Sequence, residues 1–251
     1  MVEFSDWQPA PNIRDDVALY ELENEAFDPE GLVLDAMRVA APWTRRRLID
    51  LGCGTGYWLP GYAAEAAHVV GVEPDPMLRR LAEERMAGSA RVTIEAGSAE
   101  HLPFADASVD VVHARFAYFF GPGAERGLAE VLRVLAPGGS LVAVDNDHLH
   151  GEFAELLARA ATKYTMRDQG IVAAWWRDHG ATHIDVLSEW AFCSREDLEA
   201  ILSNEFRDGS AEPWLKDHPD RTSLSYGYTI YVVSSSTAVA PDTDPLLDGL
   251  A

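Results

Sequence analysis

The sequence has almost no lysine. Lys163 and Lys216 are its two lysines, and arginine supplies the rest of its basic side chains. With the many alanines and aspartates, this reads as coding bias rather than function. Basic charge of any kind is scarce: 20 Lys+Arg stand against 41 Asp+Glu, a formal net charge of −21. A body this acidic repels phosphate backbones and anionic lipid at long range, which argues against nucleic-acid and membrane-surface partners. Cysteine is nearly absent too. Cys53 and Cys193 have no close spacing, so neither a disulfide framework nor a zinc site is expected, only free thiols in a reducing compartment. No apolar run reaches the roughly 18 residues that span a bilayer. The opening stretch, residues 1–6, lacks a basic segment followed by an apolar one, so no secretory leader and a cytoplasmic protein are expected.

What is present is a globular composition. Of 251 residues, 47% are apolar and 24% charged, which suits one large α/β domain and excludes a disordered chain. No internal repeat is visible. Residues 1–12, with Pro9 and Pro11, read as an irregular arm. Helical spacing follows over 13–27. Asp28-Pro29 then signals a second helix that Pro42 ends. From residue 48 short apolar strands alternate with helices. Strands are predicted at 48–51, 68–72, 92–95, 109–113 and 140–144, with helices between them. That alternation implies parallel pairing by right-handed crossovers. After residue 146 the rhythm changes. Helices are predicted at 153–164 and 171–177 and strands at 184–193 and 223–233. Between those strands Ser194 and Asp197 resemble a capping box that opens a further helix. Residues 234–251 read as a flexible tail.

The sharpest signal is Leu48-Ile49-Asp50-Leu51-Gly52-Cys53-Gly54-Thr55-Gly56, a buried strand running into a glycine-rich turn and then a helix. Three glycines in five positions let the backbone turn tightly and approach a ligand. The next strand ends in Gly71-Val72-Glu73-Pro74, which places Glu73 at its carboxyl end, where open α/β sheets bind ligands. A carboxylate there can accept both hydroxyls of a ribose. The spacing is not that of a dinucleotide loop, because Tyr57 stands where the last glycine would belong, and there is no Walker lysine. Asp50, an acid beside the loop, suits a ligand carrying a sulfonium and an ammonium better than a pyrophosphate.

The stretch resembles motif I of class I S-adenosylmethionine-dependent methyltransferases, in the small-molecule branch that includes the ubiquinone-biosynthesis type. The resemblance covers about residues 45–145. It implies a Rossmann-like, doubly wound α/β sheet of seven strands, mostly parallel with the last antiparallel, plus N-terminal helices and an inserted helical lid. It implies S-adenosyl-L-methionine as cofactor and S-adenosyl-L-homocysteine as product. Gly52, Cys53, Gly54 and Gly56 would lie under the cofactor with Asp50, and Glu73 would bind its ribose, flanked by Pro74 and Met77. Ser98, Ala99 and Glu100 match the segment that holds the adenine edge; Ser98 stands where the family usually has Asp. Ala114 and Arg115 follow the fourth strand. Tyr20 either closes over the cofactor or packs as a core aromatic. The implied division is 1–44 arm and cap helices, 45–145 cofactor-binding core, 146–233 lid helices with the last two strands, and 234–251 tail.

Methyl transfer is an in-line displacement at a carbon activated by a sulfonium, so placement of the nucleophile can carry much of the rate. A general base matters only for an acceptor that arrives protonated. Asp145 and His148, after the fifth strand, are the candidate bases; as a polar loop they need no catalytic role. Asp145-Asn146 resembles the magnesium-holding pair of catechol-type O-methyltransferases, but Ala114 and Arg115 stand where those enzymes need a further acid, so no metal is expected. Arg115 either holds an acidic substrate group or pairs with an internal carboxylate. Aromatic residues at 116, 118–120, 175, 176, 190, 192 and 214 either wall a planar substrate or fill the core. The expected activity is methyl transfer to an O, N or C atom of a small apolar or aromatic molecule, by a monomer or homodimer. A non-catalytic cofactor-binding subunit is the alternative. A nicotinamide oxidoreductase is disfavoured by Tyr57.

Overall fold

In the computed structural model, residues 4, 7, 11–160 and 166–235 are described. Most of the arm expected at 1–12, residues 161–164 of the expected helix at 153–164, and the tail from 236 onward lie outside the described residues. Helices α1 (Pro11–Arg14), α2 (Val17–Ala26) and α3 (Leu32–Ala40) come first. The helical spacing over 13–27 is broken in two because the Asp16 side chain accepts from Leu19 N and starts α2 afresh. Asp28 caps α3 from farther out than the sequence suggested. Gly31, at φ +73°, delays the helix, yet one Asp28 oxygen still accepts from Val33 N at 2.8 Å.

The alternating region follows: β1 (Arg47–Leu51), α4 (Leu59–Glu65), β2 (His68–Val72), α5 (Pro76–Arg85), β3 (Val92–Glu95), β4 (Val109–Arg115), α6 (Glu125–Val134) and β5 (Leu135–Asn146). Strand β5 is longer than its apolar stretch. It runs through Pro137-Gly138-Gly139 and pairs back to Val109 across a register shift. Then come α7 (Glu152–Arg159), α8 (Met166–Asp178), β6 (Thr182–Ala191), α9 (Arg195–Glu205), α10 (Glu212–Asp217) and β7 (Ser223–Ser234). Ser194 caps α9 by accepting from Asp197 N, as its spacing predicted.

The seven strands form one sheet in the order β3-β2-β1-β4-β5-β7-β6. Pairs from β3 to β5 are parallel, and β7 is antiparallel to both β5 and β6. This is the expected doubly wound sheet with its last strand reversed. The chain winds outward from β1 to β3, then returns to place β4 on the other side of β1. That reversal opens a crevice beyond the carboxyl ends of β1 and β4.

Each face of the sheet buries its own core. Leu48, Val111, Val142 and Val144 pack on one face with Met37, Trp43 and Tyr62. Ile49, Val112, Ala114, Leu141 and Ala143 pack on the other with Leu128, Val131 and Trp176. Strand alternation makes the two sets interleave along the chain. Most of the aromatics that could have walled a substrate are core. Trp176 stacks on Tyr231 at 5.0 Å and 13°, while Phe119, Trp175 and Trp214 are buried. Among the described residues no helix is long and apolar enough to cross a membrane.

Candidate functional site

The turn after β1 is built from backbone that glycine tolerates best. Gly52, Gly54 and Gly56 have φ of +73°, +57° and +77°. Gly52 N and Cys53 N both donate to Val72 O, at 2.8 and 3.1 Å, which draws the turn across the end of β2. A methyl group on Gly52 would come 2.8 Å from the Ala117 side chain, and one on Gly54 would come 3.0 Å from the Tyr20 hydroxyl.

Glu73 locks this turn. It is 5% exposed; one carboxylate oxygen accepts from Gly54 N and the other from Asp75 N, each at 2.9 Å. Burial pushes its carboxyl up to about 7, against the pull of those two backbone donors. Each oxygen keeps a second lone pair for a ligand. Asp75 then caps α5 through Met77 N at 2.8 Å. Arg79 Nη1 donates to the Glu73 carbonyl at 2.9 Å and holds the strand end.

Beyond β1 and β4 lies a cavity of about 220 Å³. Asp50, Gly52 and Cys53 line it from the first strand and its turn, and Arg115 and Phe116 from the end of β4. Ile13, Tyr20, Glu23, Asn24 and Phe27 cover it from the N-terminal segment, with Trp58 beside them. Asn146, Trp190, Glu205 and Tyr226 close the far side. Burial raises the Asp50 carboxyl to about 6, although Arg115 pulls it down. The Arg115 guanidinium lies over Trp58, 3.9 Å from its ring centre, and over Phe27 at 5.4 Å. Its Nε and Nη1 are buried without a hydrogen-bond partner. Burial pushes the Cys53 thiol well up, so it stays protonated and is no nucleophile. Phe116 and Tyr118 take φ of +51° and +60°, a strained backbone at the mouth of the site.

The N-terminal helices are fastened over the glycine turn by polar contacts that sequence reading missed. Glu21 accepts from Thr55 Oγ1 and pairs with Arg85, both at 2.5 Å. Trp58 Nε1 donates to Asn24 at 2.7 Å, and Arg14 pairs with Asp75 at 3.1 Å. Nothing in the spacing of Glu21, Glu23 or Asn24 marks them, because their partners lie more than thirty residues away or, as with Glu205, in the second half of the chain. Tyr20 lines the cavity, half-buried, with its hydroxyl against Gly54.

The other sequence candidates lie elsewhere. Asp145 is on the strand face opposite to Asn146, outside the cavity lining, and its Oδ1 accepts from Asn146 N at 2.8 Å. His148 also lies outside that lining. The amide next door, Asn146, is the residue that faces in, and it accepts from the Tyr226 hydroxyl at 2.6 Å. Ser98 is 2% exposed in a tight turn with His101, whose Nδ1 lies 3.4 Å from its hydroxyl. Ala99 is buried. Glu100 accepts from Tyr118 and pairs with Arg126 at 3.0 Å, tying this turn to the segment after β4. Pro74 and Met77 border Glu73 outside the cavity, and Ala114 faces the opposite core. No described residue of α7 or α8 lines the cavity; the cover comes from α2 and the end of α9 instead.

Comparisons with known proteins point the same way. The family described as "Methyltransferase domain" matches residues 49–143. A demethylmenaquinone methyltransferase of Clavibacter sepedonicus is 38% identical over 135 residues, covering 50% of this chain and 55% of that protein. One of Thermobifida fusca is 33% identical over 148 residues, covering 54% of this chain and 63% of that protein. The chain thus spans less than two-thirds of the length of these curated relatives. A solved SAM-dependent methyltransferase of Aquifex aeolicus matches with a TM-score of 0.53 and 14% identity, over 85% of this chain and 97% of that one. That last likeness is one of fold.

Proposed function

We propose that this chain, whose residues 49–143 match the methyltransferase domain family and which is similar to demethylmenaquinone methyltransferases over about half its length, is a class I S-adenosylmethionine-dependent methyltransferase of the ubiquinone-biosynthesis-like branch, and that it methylates a small, largely apolar or aromatic molecule held in the cavity under α2. S-adenosylmethionine is the cofactor this reading assigns to the domain. The residues fit it. The glycine turn offers a surface without side chains. Glu73 has lone pairs to spare for two ribose hydroxyls. Asp50 and Arg115 present opposite charges to one cavity, with two guanidinium nitrogens unpaired, which suits the ammonium and carboxylate of the methionine part. When bound, the cofactor supplies a methyl group activated by a sulfonium.

The observation that carries this reading is the junction of Glu73 with the glycine turn, whose Gly52 and Cys53 line the cavity. The chain's own task is then placement. Phe27, Trp58, Phe116, Trp190 and Tyr226 offer flat apolar walls. A well-oriented pair of reactants can gain roughly 7–11 kcal/mol by proximity and lost solvent reorganisation. Tyr20 and α2 keep water from the reacting centre. Asp145 and His148 have no part in this scheme, since both stand outside the lining. The curated relatives are named for demethylmenaquinone, an acceptor compatible with such walls.

The test is to incubate the chain with cell metabolites and cofactor bearing a deuterated methyl group, then to follow label by mass spectrometry. Label entering one small molecule is the expected result. Cofactor binding without labelled product from any extract fraction would refute methyl transfer by this chain.

A further inference from the structure

Two carboxylates in the cavity have no use in the scheme above. Glu23 stands on α2 and Glu205 ends α9; the two helices pack together, and both side chains line the cavity. Among the described residues neither carboxylate makes an ion pair or a hydrogen bond. The positive charge that acts on Glu205 is Arg207, but its guanidinium points to Asn204 at 2.9 Å and Asp15 at 3.9 Å. Glu23 therefore feels mainly its own burial and the like charge of Glu205, and its carboxyl is pushed up to about 8.

The surroundings add a second, separate sign. Trp190 is 3% exposed and lines the same cavity; the group beside its Nε1 is the buried Tyr228 hydroxyl, and neither atom makes a hydrogen bond of full geometry. A buried indole N–H left with a poorly placed acceptor can take a better one from a ligand. Phe27 and Tyr226 stand in the same wall. Two acids lacking a counter-ion, set among aromatic faces, match an ammonium group, which brings three donors and is attracted to ring faces.

We propose that the methyl acceptor is an aromatic molecule carrying a basic alkylamine, protonated on arrival, whose ammonium lodges between Glu23 and Glu205 while an oxygen elsewhere on it takes the Trp190 N–H. This rests on the reading of the cavity as the acceptor site. It narrows the acceptor from any small apolar molecule to one with a basic handle.

Tyramine and tyrosol, which differ in carrying an amine or a hydroxyl at the chain end, separate the two cases. Each is titrated calorimetrically into the full chain saturated with S-adenosylhomocysteine near neutral pH. Tyramine is expected to bind at least about tenfold more tightly, the scale of one charged hydrogen bond. In Glu23→Gln and in Glu205→Gln that preference should collapse, while affinity for S-adenosylhomocysteine holds and reports a folded chain. Equal binding of the two probes, no binding of tyramine, or a preference that survives both substitutions overturns the assignment. A chain that fails to bind S-adenosylhomocysteine strikes the cofactor reading instead.

Discussion

Replacing Glu73 by Gln should separate binding from folding. In the native chain both carboxylate oxygens are engaged, by Gly54 N and Asp75 N at 2.9 Å each. Gln offers one oxygen and one NH2 group, so whichever way the amide turns, one backbone N–H faces a donor. Losing that acceptor costs about 1–3 kcal/mol. The substitution also removes a burden. Glu73 has its carboxyl at about 7 when folded, against 4.5 for an ordinary side chain. At neutral pH that difference costs the folded state about 3 kcal/mol, and a neutral amide does not carry it. The two terms nearly offset, so urea denaturation of the ligand-free variant should match the parent to within about 2 kcal/mol. Ribose hydroxyls, by contrast, lose a charged acceptor at about 1.5–3 kcal/mol per bond. Calorimetric affinity for S-adenosylhomocysteine should therefore fall by roughly 100-fold. An affinity within about threefold of the parent, at equal stability, would refute the role given to Glu73.

Gly54→Ala should weaken cofactor binding and cost about 1–2 kcal/mol of stability, because φ is +57° and the new methyl would meet the Tyr20 hydroxyl; a thermal shift unchanged with and without S-adenosylhomocysteine would contradict this. The ligand-free chain should lose stability as pH rises from 6.5 to 8. Glu23 and Glu73, at about 8 and about 7 when folded against 4.5 unfolded, keep protons that the unfolded chain has released. The loss should be about 2 kcal/mol across that interval, read from urea midpoints, and a flat profile would show the two acids to be ionised already. Below 6.5 His113 works the other way, since burial holds it neutral down to about 3 while the unfolded chain takes up a proton. Once a labelled acceptor is in hand, Asn146→Ala should raise its KM several-fold whereas Asp145→Asn leaves kcat/KM unchanged; a reversed order would place the acceptor on the other sheet face.

The glycine turn and its junction with Glu73 were legible in the sequence because their parts are local. Asp50 through Gly56 form one turn, and Glu73 follows at the end of the next strand, so strand-to-helix spacing alone brings them together. The rest of the cavity lining was not. Glu23, Asn146, Trp190, Glu205 and Tyr226 meet only through packing of α2, α9 and the last strands. Aromatic residues carried no discriminating signal, since a ring that walls a substrate and one that fills a core look alike in a chain. Trp176 lies flat on Tyr231 under the sheet, whereas Trp190 faces the cavity. Asp145 falls outside the cavity lining through strand phase. Val142 and Val144 share a face with Asn146, and one step along β5 turns Asp145 to the other side. The described residues after β5 follow the same logic: the tryptophans of α8 are buried against the second face, and α2 with the end of α9 covers the cavity.

A crystal structure of the chain with S-adenosylhomocysteine tests the central claim most directly. The account predicts the Glu73 carboxylate within about 3 Å of both ribose hydroxyls, with the amino-acid end between Asp50 and Arg115. A nucleoside seated away from the glycine turn, or Glu73 bonded to Gly54 and Asp75 alone, would contradict it.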